Sequence, residues 1–329
     1  MRVSVIATVR NESGAIERLL ESLAMQSRRP DEVIIVDGGS TDGTLEILRR
    51  HERDGTLPLR ALEAPGSNIS AGRNVAIAAS TSEIIASTDA GVRFDLSWLE
   101  QLLRPFESEQ RAPDVVCGFF VSDPQTVFET AMGATVLPDV DEIVPERFLP
   151  SSRSVAFRRV AWEAVGGYPE WMTFSEDLLF DLALKNREYR FVFAPHAAVR
   201  FRPRTSLGAF WRQYRNYAMG DGEGLLWTKR HLARYGTYLI GAPLLIALGL
   251  VWNPWWWALL PLGLAVYLRQ PYSRLSKTLP TLSWKDRLAA CLWVPVIRVW
   301  GDLAKMAGYP LGLPRGFRQH QRTRAYLHP

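Results

Sequence analysis

The sequence predicts an α/β protein: a mostly parallel sheet flanked by helices, followed by C-terminal membrane helices. Three observations carry that reading. Strand-like and helix-like segments alternate through about the first third of the 329 residues, the pattern of a parallel sheet with crossover helices. A less regular stretch of strands and helices follows. Then come 34 residues without a single charge, 235–268, with basic residues on both sides. The chain is therefore expected to divide into 1–111, 112–230 and 231–329.

Val3–Val9 is an apolar run and reads as a buried strand; Arg10, Asn11 and Glu12 interrupt the apolar N-terminus too early for a signal peptide. In 13–26, Ile16, Leu19, Leu20 and Leu23 share one helical face. Glu32–Asp37 (EVIIVD) is a second buried strand, and 41–51 a helix with Ser40 or Thr41 as its cap. Residues 74–79 read as helix, 83–89 as strand and 97–106 as helix. Beyond them, 115–121 is a strand, 160–165 a short helix ending at Gly166-Gly167, 175–186 a helix, 191–195 a strand and 206–218 an aromatic-rich helix.

Hydrophobic residues make up 47% and charged residues 22%, which excludes a disordered or collagen-like chain. Two cysteines, Cys117 and Cys291, build neither a disulfide framework nor a cysteine zinc site, and fit a reducing compartment. The net charge of +5 hides an asymmetry: from Arg269 to Pro329 there are eleven Lys/Arg and two acids. Nine of the twelve tryptophans lie between Trp211 and Trp300. A basic tail beside a Trp-rich apolar stretch suits a membrane surface better than nucleic acid. One helix over 235–268 would extend about 50 Å, well beyond a bilayer core of about 30 Å. Asn253-Pro254 divides it into halves of about 25 Å each, with Trp252, Trp255, Trp256 and Trp257 at the break. Lys229, Arg230 and Arg234 flank one end, and Arg269, Arg274 and Lys277 the other, so both ends are expected in the cytoplasm. The expectation is a hairpin in the cell inner or cytoplasmic membrane. A buried core hairpin is the alternative, but no second apolar layer is available to cover it. The third apolar stretch, 288–300, is broken by Pro295 and Arg298 and reads as an interfacial amphipathic segment.

The chemistry begins at Asp37, which ends a strand and opens DGGSTDGT. A strand-end carboxylate followed by glycines lets the backbone approach a ligand, and a carboxylate accepts from an N–H or hydroxyl of a base or ribose. A plain βα turn is the blander reading. No G-x-G-x-x-G follows a strand, which counts against NAD or flavin.

Seven motifs in order resemble family 2 glycosyltransferases of the GT-A fold: SVIATVRNE (4–12), VDGGSTDGT (36–44), NISAGRNVA (68–76), TDAGVR (88–93), VGGYP (165–169), SED (175–177) and QYRNYAMGDG (213–222). The resemblance covers about 3–222. It implies a nucleotide-sugar donor, inverting transfer and, in typical members, a divalent metal such as Mg or Mn. It makes 1–111 the donor half, 112–230 the acceptor and catalytic half, and 231–329 a membrane hairpin with a basic tail.

Carried across by position, the resemblance implies that Thr8, Arg10 and Glu12 meet the nucleotide and that Asp37 reads the base. Arg73 and Asn74 match the segment lining the nucleotide and diphosphate. Asp89 matches the first acid of the D-x-D element, near ribose and metal; the second acid falls on Gly91. Asp177, with Glu176 before it, matches the catalytic base. Gln213 and Arg215 resemble a later motif over the diphosphate and acceptor, though the spacing differs from the processive form and no Trp follows. Ser152 and Arg153 lie in a stretch that lines the acceptor side in the family; a polar loop is the plain alternative.

The chemistry of the residues agrees with a base at Asp177. Inverting transfer needs one group to deprotonate the acceptor hydroxyl, while the leaving diphosphate needs its charge neutralised. Two acids opening a helix are held by its dipole. A glycosidase pair is disfavoured because the nucleotide-binding half would be idle. Arginines Arg200, Arg202 or Arg215 are candidates to replace the missing metal ligand with positive charge on phosphate. The expected activity is a membrane-associated hexosyltransferase taking sugar from a UDP-hexose to a lipid-linked or glycan acceptor, in polysaccharide or glycolipid synthesis. A polyprenyl-phosphate sugar synthase and a silent scaffold of the same fold are the rivals.

Overall fold

The apolar N-terminal runs form strands at the expected places in the computed structural model, which describes residues 1–108 and 111–328. In chain order, β1 (Val3–Val9) leads to α1 (Ser13–Ala24), β2 (Glu32–Asp37), α2 (Thr44–Asp54), β3 (Leu59–Glu63), α3 (Ile69–Ala79), β4 (Ile84–Ser87), β5 (Val92–Phe94) and α4 (Trp98–Ser108). There follow β6 (Val115–Ser122), α5 (Val127–Val136), β7 (Val155–Arg158), α6 (Arg159–Ala164), α7 (Glu176–Asn186) and β8 (Phe191–Phe201). The remainder is helical: α8 (Leu207–Glu223), α9 (Thr228–Tyr235), α10 (Ala242–Val251), α11 (Leu259–Thr278) and α12 (Trp284–Leu327). Two discontinuous units result: Met1–Asp123 with Val140–Arg202 and Arg322–Pro329, and Pro124–Asp139 with Pro203–Gln321.

The first unit holds one eight-stranded sheet in the order β3-β2-β1-β4-β7-β6-β8-β5. Four pairings are parallel; β4–β7, β6–β7 and β5–β8 are antiparallel. The buried face of α1 packs with alternate residues of β1 and β2 and with Trp98, Leu99 and Leu102 of α4. Each such buried side chain contributes roughly 1.5–3 kcal/mol.

Several boundaries differ from the sequence expectation. Residues 41–43 are loop: α2 starts at Thr44, and Gly43, at φ 93°, takes the cap position in place of Ser40 or Thr41. The helix expected at 74–79 starts five residues earlier, because the Asn68 side chain accepts from the Ala71 N–H and caps it. β8 continues past Pro195 to Phe201, and β3, β5 and β7 are additional strands.

The second unit buries Phe210, Leu268, Leu275, Val294 and Ile297 with residues of α5. Its longest element, α12, runs for 44 residues through Pro295, Pro310 and Pro314, so Pro295 does not break the apolar stretch at 288–300. Glycines let α12 lie against α8 at backbone distance. A Cβ on Gly308 would stand 2.0 Å from the Arg215 carbonyl, one on Gly312 2.0 Å from that of Met219, and one on Gly316 2.2 Å from that of Gly222. This four-residue spacing presents one glycine per turn on one face.

A helix from Thr228 to Val251, through α9, a π-helical stretch Gly236–Gly241 and α10, has 24 residues and is long and apolar enough to cross a membrane. Only 6% of its most apolar window is buried. The chain breaks after it at Asn253, whose side chain accepts from the Trp255 N–H. The second arm, α11, takes in Arg269, Arg274 and Lys277, so its charge-free part is short.

Candidate active site

The loops after β1 and β2 are tied to each other. Asn11, in the left-handed region at φ 56°, donates its N–H to Ser40 Oγ (2.9 Å) and accepts from the Thr41 N–H (2.9 Å). Asp42 accepts from the Ser13 N–H (3.0 Å) and from the Thr44 hydroxyl (2.6 Å). The Thr44 bonds, then the Ser13 bond, hold the Asp42 carboxyl well below the usual carboxylate range. Asp37 is buried, and its Oδ1 accepts from the N–H groups of Gly39 (2.8 Å) and Ser40 (2.7 Å). Gly39 reaches this turn at φ 94°, open to glycine. Asp37 Oδ2 is buried with no protein partner. One oxygen thus shapes the loop, as a plain βα turn requires, and the other fits an incoming N–H or O–H donor. Thr8 is half-buried near the end of β1, Arg10 is exposed, and the Glu12 N–H donates to Thr44 Oγ1 (2.9 Å).

Arg73 links Asp89, just after β4, to the acids of α7. It lies in the second turn of α3 and is buried. Nη1 donates to Glu176 Oε1 (2.7 Å), Nη2 donates to Asp89 Oδ1 (3.3 Å), and the guanidinium lies 5.3 Å from the Tyr168 ring centroid. Burial opposes its charge, but Glu176 and then Asp89 more than offset that and raise its pKa. Burial and then the Asp177 carboxylate push Glu176 up, while Arg73 opposes them. Ser175, left-handed at φ 60°, starts α7, so Glu176 and Asp177 occupy its first turn. Glu176 points into the ion pair. Asp177 is half-buried and accepts from the Leu178 N–H (2.8 Å) through Oδ1.

Arg153 faces the other oxygen of Asp89, at 3.5 Å, and lies over the Phe201 ring. Ser152 Oγ is 3.3 Å from the Tyr168 hydroxyl. The stretch read as an acceptor-side loop therefore reaches both Asp89 and the Tyr168 wall. Asn74 uses its whole amide on one loop: Nδ2 donates to the Tyr168 carbonyl (2.9 Å) and Glu170 Oε1 (2.8 Å), and Oδ1 accepts from Trp162 Nε1 (3.0 Å) and the Tyr168 N–H (2.8 Å). Those four bonds exhaust its capacity, so here it positions the Gly166–Glu170 turn.

Other expected site residues make different contacts. Arg200 is exposed and pairs with Asp95 (3.4 Å), and Arg202 is exposed. Gln213 and Arg215 belong to the second unit. There Gln213 accepts from Arg204 (3.2 Å) and donates to the Tyr217 hydroxyl (2.7 Å), and Arg215 donates to Asn216 (3.3 Å). Two residues given no role in the sequence reading, Tyr168 of VGGYP and Asp181, join the Arg73 group. Tyr168 is buried under Arg73 and stacked on Phe180 at 4.2 Å. Asp181, one turn after Asp177, is buried with Oδ2 unpartnered, and burial and then Asp177 push its carboxyl well up. An acid within the apolar run LLFDLAL was the available signal.

A divalent cation does not fit this donor set well. Among the described residues no group of three His, Cys, Asp or Glu converges. Asp89 offers one carboxylate, and each of its oxygens faces a guanidinium. The arginines at Asp89 are Arg73 and Arg153, not Arg200.

Comparison with known proteins agrees with this architecture. The family model described as Glycosyl transferase family 2 matches residues 4–175, and that of Glycosyl transferase family group 2 matches 142–300. The succinoglycan biosynthesis protein ExoA of Rhizobium meliloti (strain 1021) is 28% identical over 310 residues, covering 81% of this chain and 86% of the relative. The O-antigen chain rhamnosyltransferase RfbN of Salmonella typhimurium is 22% identical over 259 residues, covering 70% and 81%. The mannosyltransferase PcManGT from Pyrobaculum calidifontis, solved with GDP-Man and Mn2+, superposes with a TM-score of 0.64 at 22% identity, covering 91% of this chain and 87% of that one. The shared fold is the GT-A type.

Proposed function

The chain belongs to glycosyl transferase family 2, and from that premise we propose an inverting, membrane-associated glycosyltransferase. It moves a sugar from a nucleotide-sugar donor, with a UDP-hexose as the first candidate, to a lipid-linked acceptor in polysaccharide synthesis. The observation that carries this reading is the Arg73 guanidinium, which joins Asp89 at the end of β4 to Glu176 beside Asp177. Asp89 and the acid pair are thereby held as one group.

In the proposed reaction an acceptor oxygen attacks the anomeric carbon from the side opposite the diphosphate. Asp177 takes the hydroxyl proton as the new C–O bond forms, and the bond to the nucleotide diphosphate breaks with its electrons. Glu176, kept in the Arg73 pair, leaves Asp177 as the half-exposed acid able to meet substrate. Asp37 Oδ2 receives a donor of the base or ribose. Arg153, one-quarter exposed, supports the diphosphate charge. No step is assigned to a metal.

The names of ExoA and RfbN support a place in polysaccharide assembly, and the GDP-Man named with the solved mannosyltransferase supports a nucleotide sugar. Membrane association rests on the helix Thr228–Val251, with Leu239, Ile240 and Leu250 exposed along it, and on the tryptophans that follow. The catalytic unit is read as cytoplasmic. Asp177→Asn is the test. Transfer should fall about 10²–10⁴-fold, while binding of UDP or GDP stays at the parent level. Transfer at the parent rate would remove Asp177 from the role of base.

A further inference from the structure

We propose that the second unit carries a seat for a phosphate or diphosphate head group, formed by Arg234 of α9 and Arg298 and Lys305 of α12. It rests on the reading above that the acceptor is lipid-linked, and it names the group by which the lipid is held.

The seat surrounds a buried carboxylate, Asp302. Arg234 Nε donates to its Oδ1 (2.7 Å), and the hydroxyls of Tyr267 and Tyr238 (3.4 Å for the latter) approach its Oδ2. Arg234 Nη1 also donates to His231 Nδ1 (3.2 Å), leaving Nε2 to donate to Asp221 (3.0 Å). That pattern is a neutral imidazole, so His231 adds no charge. Asp302 is fully used by Arg234 and the two tyrosines.

Two cations remain. Arg298 and Lys305 stand four residues before and three after Asp302, on the same helical face. Neither has a carboxylate within ion-pair distance among the described residues. Arg298 lies 4.7 Å from the Tyr267 ring centroid and Lys305 5.0 Å from that of Tyr214, and Arg298 Nε is buried with no partner. Three cations thus stand around two acids that Arg234 and His231 already engage, an excess of positive charge at partly buried positions. Such an excess is unfavourable in the protein alone and is relieved by an anion. A guanidinium with a spare N–H and an ammonium with its donors open suit phosphate oxygens. Arg234 also lies near the start of the apolar helix Thr228–Val251, whose outer residues Leu239 and Ile240 are about two-thirds exposed. A ligand with a phosphate at one end and a long apolar chain at the other matches both features; a free phosphate matches only the first.

The experiment uses the full chain in detergent with three probes: farnesyl diphosphate, inorganic pyrophosphate and farnesol. Farnesyl diphosphate should bind saturably, pyrophosphate more weakly, and farnesol not at all. Lys305→Met and Arg298→Gln should each weaken farnesyl diphosphate about tenfold or more, the effect of one charge-assisted hydrogen bond. UDP or GDP binding should be unchanged, and the ligand-free melting temperature should not fall, because an unpaired charge has been removed. A purely structural role predicts a lower melting temperature instead. If the parent does not bind farnesyl diphosphate, or both variants bind it as the parent does, the seat is overturned. Should Lys305→Met fail to fold, Lys305→Arg decides: retained binding supports the seat and lost binding overturns it. Pyrophosphate bound as tightly as farnesyl diphosphate overturns the lipid assignment. None of these readouts needs sugar transfer, so they fail separately from the assignment of Asp177.

Discussion

Replacing Arg73 with methionine keeps most of the bulk of the side chain and removes its charge. Glu176 is then stranded: its side chain is 11% exposed and its other charged neighbour is Asp177. Asp89 suffers less, because it is 36% exposed and keeps Arg153 at 3.5 Å. Breaking a buried ion pair from one side costs about 3–5 kcal/mol. At about 2–4 °C per kcal/mol for a domain of this size, the melting temperature should fall by about 6–20 °C. Arg73→Met with Glu176→Gln removes the stranded charge and should recover about 2–3 kcal/mol of that loss. The pH dependence has a definite sign. Burial, then Asp177, already raise Glu176 in the folded state, and losing Arg73 raises it further. A raised carboxyl favours folding below its unfolded pKa of about 4.3, and that advantage is lost as pH rises through the folded value. The deficit of Arg73→Met should therefore be smallest near about pH 4 and grow toward about pH 8. Thermal unfolding followed by tryptophan fluorescence across this range gives the answer. A single variant within about 1 kcal/mol of the parent at pH 8, or a double variant no better than the single, would refute the account.

Three further substitutions test other parts of the molecule. Asp181→Asn removes a buried carboxyl that is pushed up by burial and by Asp177, so it should be neutral or slightly unfavourable at low pH and stabilising at high pH. A gain of about 1 kcal/mol by about pH 8, seen as a flatter curve of melting temperature against pH, is expected; a loss that persists at pH 8 would show that the ionised form is satisfied. Gly312→Ala places a Cβ 2.0 Å from the Met219 carbonyl and 2.7 Å from the Glu223 nitrogen. The helix propensity gain of about 1 kcal/mol is outweighed by overpacking of about 1–3 kcal/mol or more. Gly14→Ala in α1 meets nothing within 4 Å and should gain. Equal melting temperatures for the two variants would contradict close α8–α12 packing.

Legibility followed how locally each feature is encoded. β1, β2 and α1 were readable because their buried residues, Ser4 and Asp37 apart, are apolar over a full element. β3, β5 and β7 span five, three and four residues and lack that length, and in LRALE the adjacent apolar Ala61 and Leu62 break the alternation of a strand. Asp37 was legible as a strand-end carboxylate before glycines, but the division between its two oxygens needs the loop geometry. Asn74 was legible as a site residue, yet its amide is committed to a turn some ninety positions away. The guanidiniums at Asp89 come from Arg73 and Arg153, and no spacing rule selects these over Arg200. The network of His231, Arg234, Tyr267 and Asp302 draws on three helices far apart in sequence. Only tertiary packing assembles it.

The last turns of α12 have a consequence for how this enzyme is handled and made. Tyr326 donates its hydroxyl to the Gly167 carbonyl and meets Trp171 edge-on; Arg187 donates to the Tyr326 carbonyl, and Arg322 lies over Trp171. The turn that Asn74 anchors is therefore clasped by residues translated after the apolar helices. A chain cut before α8 to gain solubility would lose that clasp along with the greasy segment, and weak activity in such a fragment would report a loosened turn as much as an absent membrane. On the ribosome the same ordering holds: the Gly166–Glu170 turn gains these contacts only once the apolar helices have emerged.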